Sequence, residues 1–263
     1  MKFCYLINSR GVMPENYRFL KNKDSDVFVA TWIDNHFSAD WFSLFRREPN
    51  STWGEGRNFI LNEVKDMDYD YFVFLDDDIA SDFENKILEV QDFIEKNEPS
   101  ALYPHIKRQK GRHTKDTVER TYSTDASFTY MHKDAARTLL PYYNAYEDQS
   151  WYYSNVIINY LQYYFYDESR FQYNEMSFRN PTNNKSYSQR GSDWKFVWKE
   201  TQKFLCEPKV REFNIMAHGR RGDRTPYRAP QNLVIEDKYK INLEKYFNTD
   251  HDYYLQKKNF WGQ

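Results

Sequence analysis

Tyr71-Phe72-Val73-Phe74-Leu75-Asp76-Asp77-Asp78 is the stretch whose reading decides the fold of this chain. An unbroken aromatic and aliphatic run of this kind, with no polar residue between, marks a strand buried on both faces. Such a strand belongs to a parallel sheet with helices on either side. The three aspartates then fall at its carboxyl end, where open α/β sheets bind their ligands. Adjacent carboxylates repel one another, so the position is costly unless a cation offsets the repulsion. Oxygen ligands suit hard divalent ions, and Mn²⁺ or Mg²⁺ is the expected cofactor. Residues i and i+2 of an extended segment point the same way, so Asp76 and Asp78 can share one ion. Equally, one of them holds the metal while another holds ribose or sugar hydroxyls. A solvated acidic turn ahead of a helix is the plainer reading of the same residues.

Working outward, strand and helix patterns alternate. Upstream, Lys2 to Ile7 and Asp26 to Trp32 are short apolar runs closed by polar turns. Thr52 with Glu55 spells a capping box, and Ile60, Leu61, Val64 and Met67 share one helical face. Downstream, Ser81 with Glu84 repeats the capping-box pattern, followed by the helical stripe Phe83, Ile87, Val90 and Ile94. Further strands are expected at Ala101 to Pro104 and at Ala126 to Met131. A helix is expected from about Asp134 to Pro141, and another starting near Asp148. The polar stretches Gln109 to Glu119 and Asp167 to Ser192 predict loops, and Trp194, Val197, Trp198, Thr201 and Leu205 return to helical spacing. This alternation predicts an α/β fold with a mixed, mostly parallel sheet flanked by helices. No repeat or linker divides the chain, so residues 1–263 read as a single domain.

Composition narrows the function. Lys+Arg number 37 against 39 Asp+Glu, a formal net charge of -2, which excludes the strongly basic field of a nucleic-acid binder. The two cysteines, Cys4 and Cys206, imply no disulfide framework and fit a reducing compartment. The apolar stretch Phe3 to Ile7 is far shorter than a signal h-region. No apolar run approaches the roughly 20 residues of a transmembrane segment. A cytoplasmic protein is therefore expected. The aromatic content of 19% is assigned mainly to the core. No GxGxxG follows the first strand and no P-loop sequence occurs, which excludes the hydride-transfer and P-loop classes.

The segment Gly56-Arg57-Asn58, then a helix, then Tyr69-Asp70 and the strand ending in Asp76-Asp77-Asp78 resembles the first half of the GT-A glycosyltransferases. Those enzymes carry a Gly/Ala-Arg-Asn-like element ahead of the helix that leads to the DxD strand. The resemblance covers roughly the first 80 residues. It implies a UDP- or GDP-linked sugar as donor, a divalent metal, and a hydroxyl of a glycan or glycoconjugate as acceptor. Residues 1–107 then form the nucleotide-binding half, and 108–263 the acceptor half with a closing segment.

The same resemblance implies roles for individual residues. Asn8, Ser9 and Arg10 after the first strand, and Thr31 and Asp34 after the second, hold base and ribose. Arg57 supports the base pocket or the diphosphate. Asp78 is the first metal ligand, with Asp76 on the ribose side and Asp77 beside it. Glu147-Asp148 is similar to the acidic pair below the acceptor site, and Asp148 is the candidate base of an inverting transfer; a helix N-cap is its competing role. Asp125 reaches donor sugar hydroxyls or is a turn residue. His218 is a late metal ligand, and Arg220, Arg221 and Arg224 neutralise the diphosphate. The remaining histidines, His36, His105, His113, His132 and His251, lack metal-ligand spacing and read as structural. Two alternatives stand beside the transferase: a non-catalytic carbohydrate-binding domain of the same shape, and a sugar-phosphate nucleotidyltransferase.

Overall fold

The computed structural model describes residues 1–9, 15–32, 39–81, 84–106, 117–120, 125–148, 152–179 and 252–262. Arg10, Asp34, His218, Arg220, Arg221, Arg224 and the helix expected at 194–205 lie outside the described residues.

The strands are β1 Phe3–Ser9, β2 Ser25–Thr31, β3 Ser43–Arg46, β4 Tyr71–Asp76, β5 Ala80–Ser81, β6 Ala101–Ile106, β7 Val118–Arg120, β8 Phe128–His132 and β9 Arg170–Arg179. The helices are α1 Trp53–Val64, α2 Ile87–Asn97, α3 Lys133–Leu139, α4 Tyr152–Tyr166 and α5 Asp252–Trp261. Among the described residues the nine strands join one sheet in the order β3-β2-β1-β4-β8-β6-β9-β5, with β7 beside β9. Neighbours from β3 to β4 pair in parallel. β8 runs antiparallel between β4 and β6, and β6 and β9 return to the first direction. The mixed, mostly parallel sheet expected from the sequence is the one observed.

Strand periodicity explains why helices cover both faces. Cys4, Leu6, Phe72 and Phe74 enter one core with Ile60 and Leu61 of α1, Leu139 of α3, Tyr160 of α4 and Tyr253 of α5. Their neighbours Phe3, Tyr5, Ile7, Tyr71, Val73 and Leu75 enter the other, with Tyr17 and with Val90 and Ile94 of α2. β4 is buried on both faces until Asp76, where exposure begins. Among the described residues, no helix is long and apolar enough to cross a membrane.

Three local expectations are corrected. Ser81 does not cap α2; it lies in β5, paired with Phe178, and α2 starts at Ile87 after the 3-10 turn Glu84–Lys86. Residues 170–179 form a ten-residue strand where a loop was expected. Its polar residues Gln172 and Asn174 alternate with Phe171 and Tyr173, which are buried with Met176 and Phe178 while β6 and β7 take the backbone bonds. Val118–Arg120, read as the end of a loop, is β7. By contrast the Thr52 capping box is present: the Thr52 side chain accepts from Glu55 N and the Glu55 carboxylate from Thr52 N.

Candidate active site

Register gathers the predicted residues. Asn8 faces Ala30 on one side and Asp76 on the other, and Ser9 faces Thr31. The carboxyl ends of β1, β2 and β4 therefore come level. The N-terminus of α1 reaches the same place, because the Trp53 carbonyl lies 3.5 Å from Asn8 Nδ2 and the Trp53 indole Nε1 donates to Asp76 Oδ1 at 3.2 Å.

Asp76 is held from beneath by Arg57. The guanidinium, 1% exposed, donates to Asp76 Oδ1 at 2.7 Å, to Ala126 O at 2.7 Å and to the Tyr142 hydroxyl at 3.1 Å. It also stacks 4.0 Å from the Trp53 ring centroid. A planar fork of donors satisfies three elements at once, which is the geometry arginine supplies and lysine cannot. Burial pushes the Asp76 carboxyl up to about 6; Arg57 pulls it down, and Asp78 and Asp125 push it up. Burial pulls the Arg57 guanidinium down, but Asp76 and Tyr142 outweigh it and the net shift is upward. Arg57 was expected to support the base pocket or the diphosphate. The structure places it under the aspartate turn, where its guanidinium holds Asp76.

The turn itself is pinned. The buried Tyr17 hydroxyl accepts from Ile79 N at 3.1 Å and donates to Ile79 O at 2.8 Å, with Asp76 O at 3.3 Å. Ser9 Oγ donates to Asp77 Oδ2 at 3.2 Å. Asp125 forms a turn at the head of β8, accepting from Ser127 N at 3.1 Å, and Ser127 O accepts from Asp76 N at 3.0 Å. Thr31 is fully buried at the end of β2, and its carbonyl accepts from Arg47 N at 3.1 Å.

Glu147 and Asp148 part company. Glu147 is 7% exposed, and the Gly54 N–H donates to it with both carboxylate oxygens at 3.0 Å. It is an anion at the N-terminus of α1, where free N–H groups and the helix dipole favour one. Burial pushes its carboxyl up, while Thr52, Ser154 and Gly54 pull it down. That placement supports a capping role for Glu147. Asp148 is exposed in the turn 145–148, ahead of α4, which begins at Tyr152 and not at Asp148. Buried His105 lies 3.0 Å from Gln172 Nε2, and His132 caps α3, as structural histidines.

Among the described residues, no group of three or more His, Cys, Asp or Glu side chains is arranged to hold a metal. Mg²⁺ and Mn²⁺ sites that act on phosphates need fewer, since one or two carboxylates and the substrate's own oxygens complete the shell. The hard oxygen donors of the Asp76–Asp78 turn suit that requirement. Sequence reasoning passed over Trp53, Tyr17, Tyr142 and Arg47. The one available signal was the capping box, which places the start of α1, and hence Trp53 and Gly54, at the level of the strand ends.

No family model matches the sequence, and no curated protein matches it. Solved structures of similar fold include Staphylococcus aureus TarS residues 1–349 in complex with UDP-GlcNAc, at 13% identity over 81% of this chain and 70% of that one, TM-score 0.51. The chain has the GT-A fold. GalNAc-T7 with UDP, GalNAc and Mn²⁺ is similar at 10% identity, covering 81% of this chain and 50% of that one, TM-score 0.52. The mannosyltransferase PcManGT from Pyrobaculum calidifontis, with GDP-Man and Mn²⁺, is similar at 8% identity, 82% and 69% coverage, TM-score 0.53. At these identities the likeness is one of architecture.

Proposed function

We propose that this GT-A chain is a metal-dependent glycosyltransferase that moves a sugar from a UDP- or GDP-linked donor to a hydroxyl of a glycan or glycoconjugate. The observation that carries the reading is the aspartate turn. It stands at the carboxyl end of β4, braced by Arg57, Trp53, Ser9 and Tyr17 in the position where α/β sheets bind ligands. A turn this heavily braced keeps like charges together, which a merely solvated acidic turn does not require.

Asp78, with Asp77 or the outer oxygen of Asp76, would hold Mn²⁺ or Mg²⁺. A metal held there would supply Lewis-acid stabilisation of the departing diphosphate. His218 is proposed as a further ligand, and Arg220 and Arg221 as partners of the diphosphate. Asn8 and Thr31, with Arg10 and Asp34, are proposed to line the nucleoside side. Asp148, exposed where Glu147 is committed to α1, is the proposed base. It takes the acceptor hydroxyl proton as that oxygen attacks the anomeric carbon and the bond from this carbon to the diphosphate oxygen breaks.

Calorimetric titration with UDP and GDP tests the reading. One of them is expected to bind at least about tenfold tighter with Mn²⁺ than without, and Asp78→Asn is expected to remove the metal effect. Equal binding of both nucleotides with and without metal would count against the proposal.

A further inference from the structure

Asp76 Oδ1 takes two side-chain donors, Arg57 Nη2 at 2.7 Å and Trp53 Nε1 at 3.2 Å. Two donors on one oxygen fix the rotation of the carboxylate, so a ligand of the turn meets Oδ2. Tyr142 touches both donors. Its hydroxyl accepts from Arg57 Nη1 at 3.1 Å, and its ring meets the Trp53 ring edge-on at 5.1 Å between centroids. Tyr142 is 1% exposed and has Phe74 of β4 against it at 5.5 Å.

Tyr142 is itself held from two sides. Asn58, next to Arg57 on α1, accepts from Tyr142 N at 2.7 Å and donates to Tyr142 O at 2.8 Å. Gln256 of α5 donates to the same carbonyl at 3.2 Å. α5 grips the preceding residues as well. Pro141 has no N–H and stops α3, which leaves the last carbonyls of that helix without intrahelical partners. α5 supplies them: Lys257 Nζ donates to Arg137 O and Leu140 O, both at 2.8 Å, Trp261 Nε1 donates to Leu140 O at 2.8 Å, and the Tyr253 hydroxyl donates to Leu139 O. The Lys257 ammonium at the C-terminus of α3 also suits the helix dipole there. All of these bonds go to main-chain carbonyls, so they fix the backbone of 137–142. A continuous set of contacts therefore runs from α5 to Tyr142, from Tyr142 to Arg57 and Trp53, and from those two to Asp76.

We propose that Tyr142 is a positioning residue of the aspartate turn, and that α5, by locking residues 137–142, sets how firmly that turn holds a divalent ion with its nucleotide. The second half rests on the nucleotide-sugar reading; the first stands on the unliganded protein. Coupling of this kind is reciprocal, so metal and nucleotide at the turn tighten α5 onto 137–142 in return.

Melting temperatures of the full chain test the first half. Tyr142→Phe removes only the hydroxyl, so its cost should largely vanish once Arg57→Met has removed the donor. The double variant should then fall short of the summed shifts by about 2 °C or more. Additive shifts overturn the positioning role. Calorimetry with Mn²⁺ and UDP or GDP tests the second half. Tyr142→Phe and Gln256→Ala should each weaken nucleotide binding about fivefold or more with Mn²⁺ present and leave metal-free binding unchanged. Val90→Ala, a core lesion on the opposite face of the sheet, should lower the melting temperature without touching the metal effect. Unchanged metal-dependent affinity in either variant, an equal loss without Mn²⁺, or the same loss in Val90→Ala overturns it. In the unaltered protein, Mn²⁺ with nucleotide should slow amide hydrogen exchange in 137–142 and 252–261; unchanged exchange there overturns the coupling even if a variant does not fold. A chain that binds neither nucleotide overturns the nucleotide-sugar reading and with it the α5 half, whereas the Arg57–Tyr142 cycle still decides whether Tyr142 positions the turn.

Discussion

Replacing Arg57 by methionine isolates the interaction on which the aspartate turn depends. Methionine keeps much of the aliphatic volume and removes the cation. Asp76 Oδ1, Ala126 O and the Tyr142 hydroxyl then lose donors now at 2.7, 2.7 and 3.1 Å. Removing one partner of a buried ion pair costs about 3–5 kcal/mol, because the other charge is left unpaired. The Asp76 side chain retains 19% exposure, so water offsets part of this and the lower end of the range is expected. At about 2–4 °C per kcal/mol for a chain of this size, the melting temperature should fall by roughly 6–12 °C. The penalty should also depend on pH. Burial already lifts the Asp76 carboxyl from 3.8 to about 6, and loss of Arg57 lifts it further. A carboxyl raised in the folded state binds its proton more tightly there than in the unfolded chain. Stability from that proton is therefore present at low pH and lost as pH rises through the folded value. The Arg57→Met penalty should accordingly shrink between about pH 7.5 and pH 5, since a neutral carboxyl needs no cation. Urea unfolding of the parent, Arg57→Met, Asp76→Asn and the double variant at both pH values measures this. A penalty below about 1 kcal/mol, no change with pH, or strict additivity of the two substitutions would refute the pairing.

Other outcomes follow from neighbouring geometry. Glu147→Ala strands the Gly54 N–H, 3.0 Å from both carboxylate oxygens, and should cost about 1–3 kcal/mol in unfolding experiments; an unchanged melting curve would end its role as the anion of α1. Gly56→Ala puts a methyl group 2.5 Å from Asn8 Oδ1, so nucleotide affinity measured by calorimetry should fall, with about 1–3 kcal/mol of stability lost as well. If affinity holds, Asn8 does not line the nucleoside site. Asp148→Asn should leave donor binding intact and slow transfer by about a hundredfold or more in single-turnover kinetics, whereas undiminished transfer removes Asp148 from the reaction.

The core of this fold was legible because it depends on local pattern. An apolar run ending in aspartates fixes β4 and the position of its carboxyl end, and Thr52 with Glu55 fixes the start of α1. β9 was not legible, since its polar residues are satisfied across the sheet: Gln172 donates to Glu119 on β7 at 2.7 Å, a partner no local window contains. The Ser81–Glu84 pattern misled for the same reason, because pairing with Phe178 outweighed an available cap. At the site, residue types were readable and depth was not. Arg57 looks like any polar residue near a ligand until the structure shows it sealed beneath Asp76 and Trp53. Glu147 and Asp148 are adjacent in sequence, yet one is buried against α1 and the other faces solvent. Arg47 carried no motif at all, and only its backbone bond to Thr31 O brings it to the strand ends.

The central claim is tested most directly by nucleoside diphosphate release from a panel of UDP- and GDP-sugars incubated with the protein, with and without Mn²⁺. The account predicts metal-dependent release from at least one donor, lost in Asp78→Asn. Release of pyrophosphate from a sugar phosphate and nucleoside triphosphate, or no metal-dependent release from any donor, would contradict it.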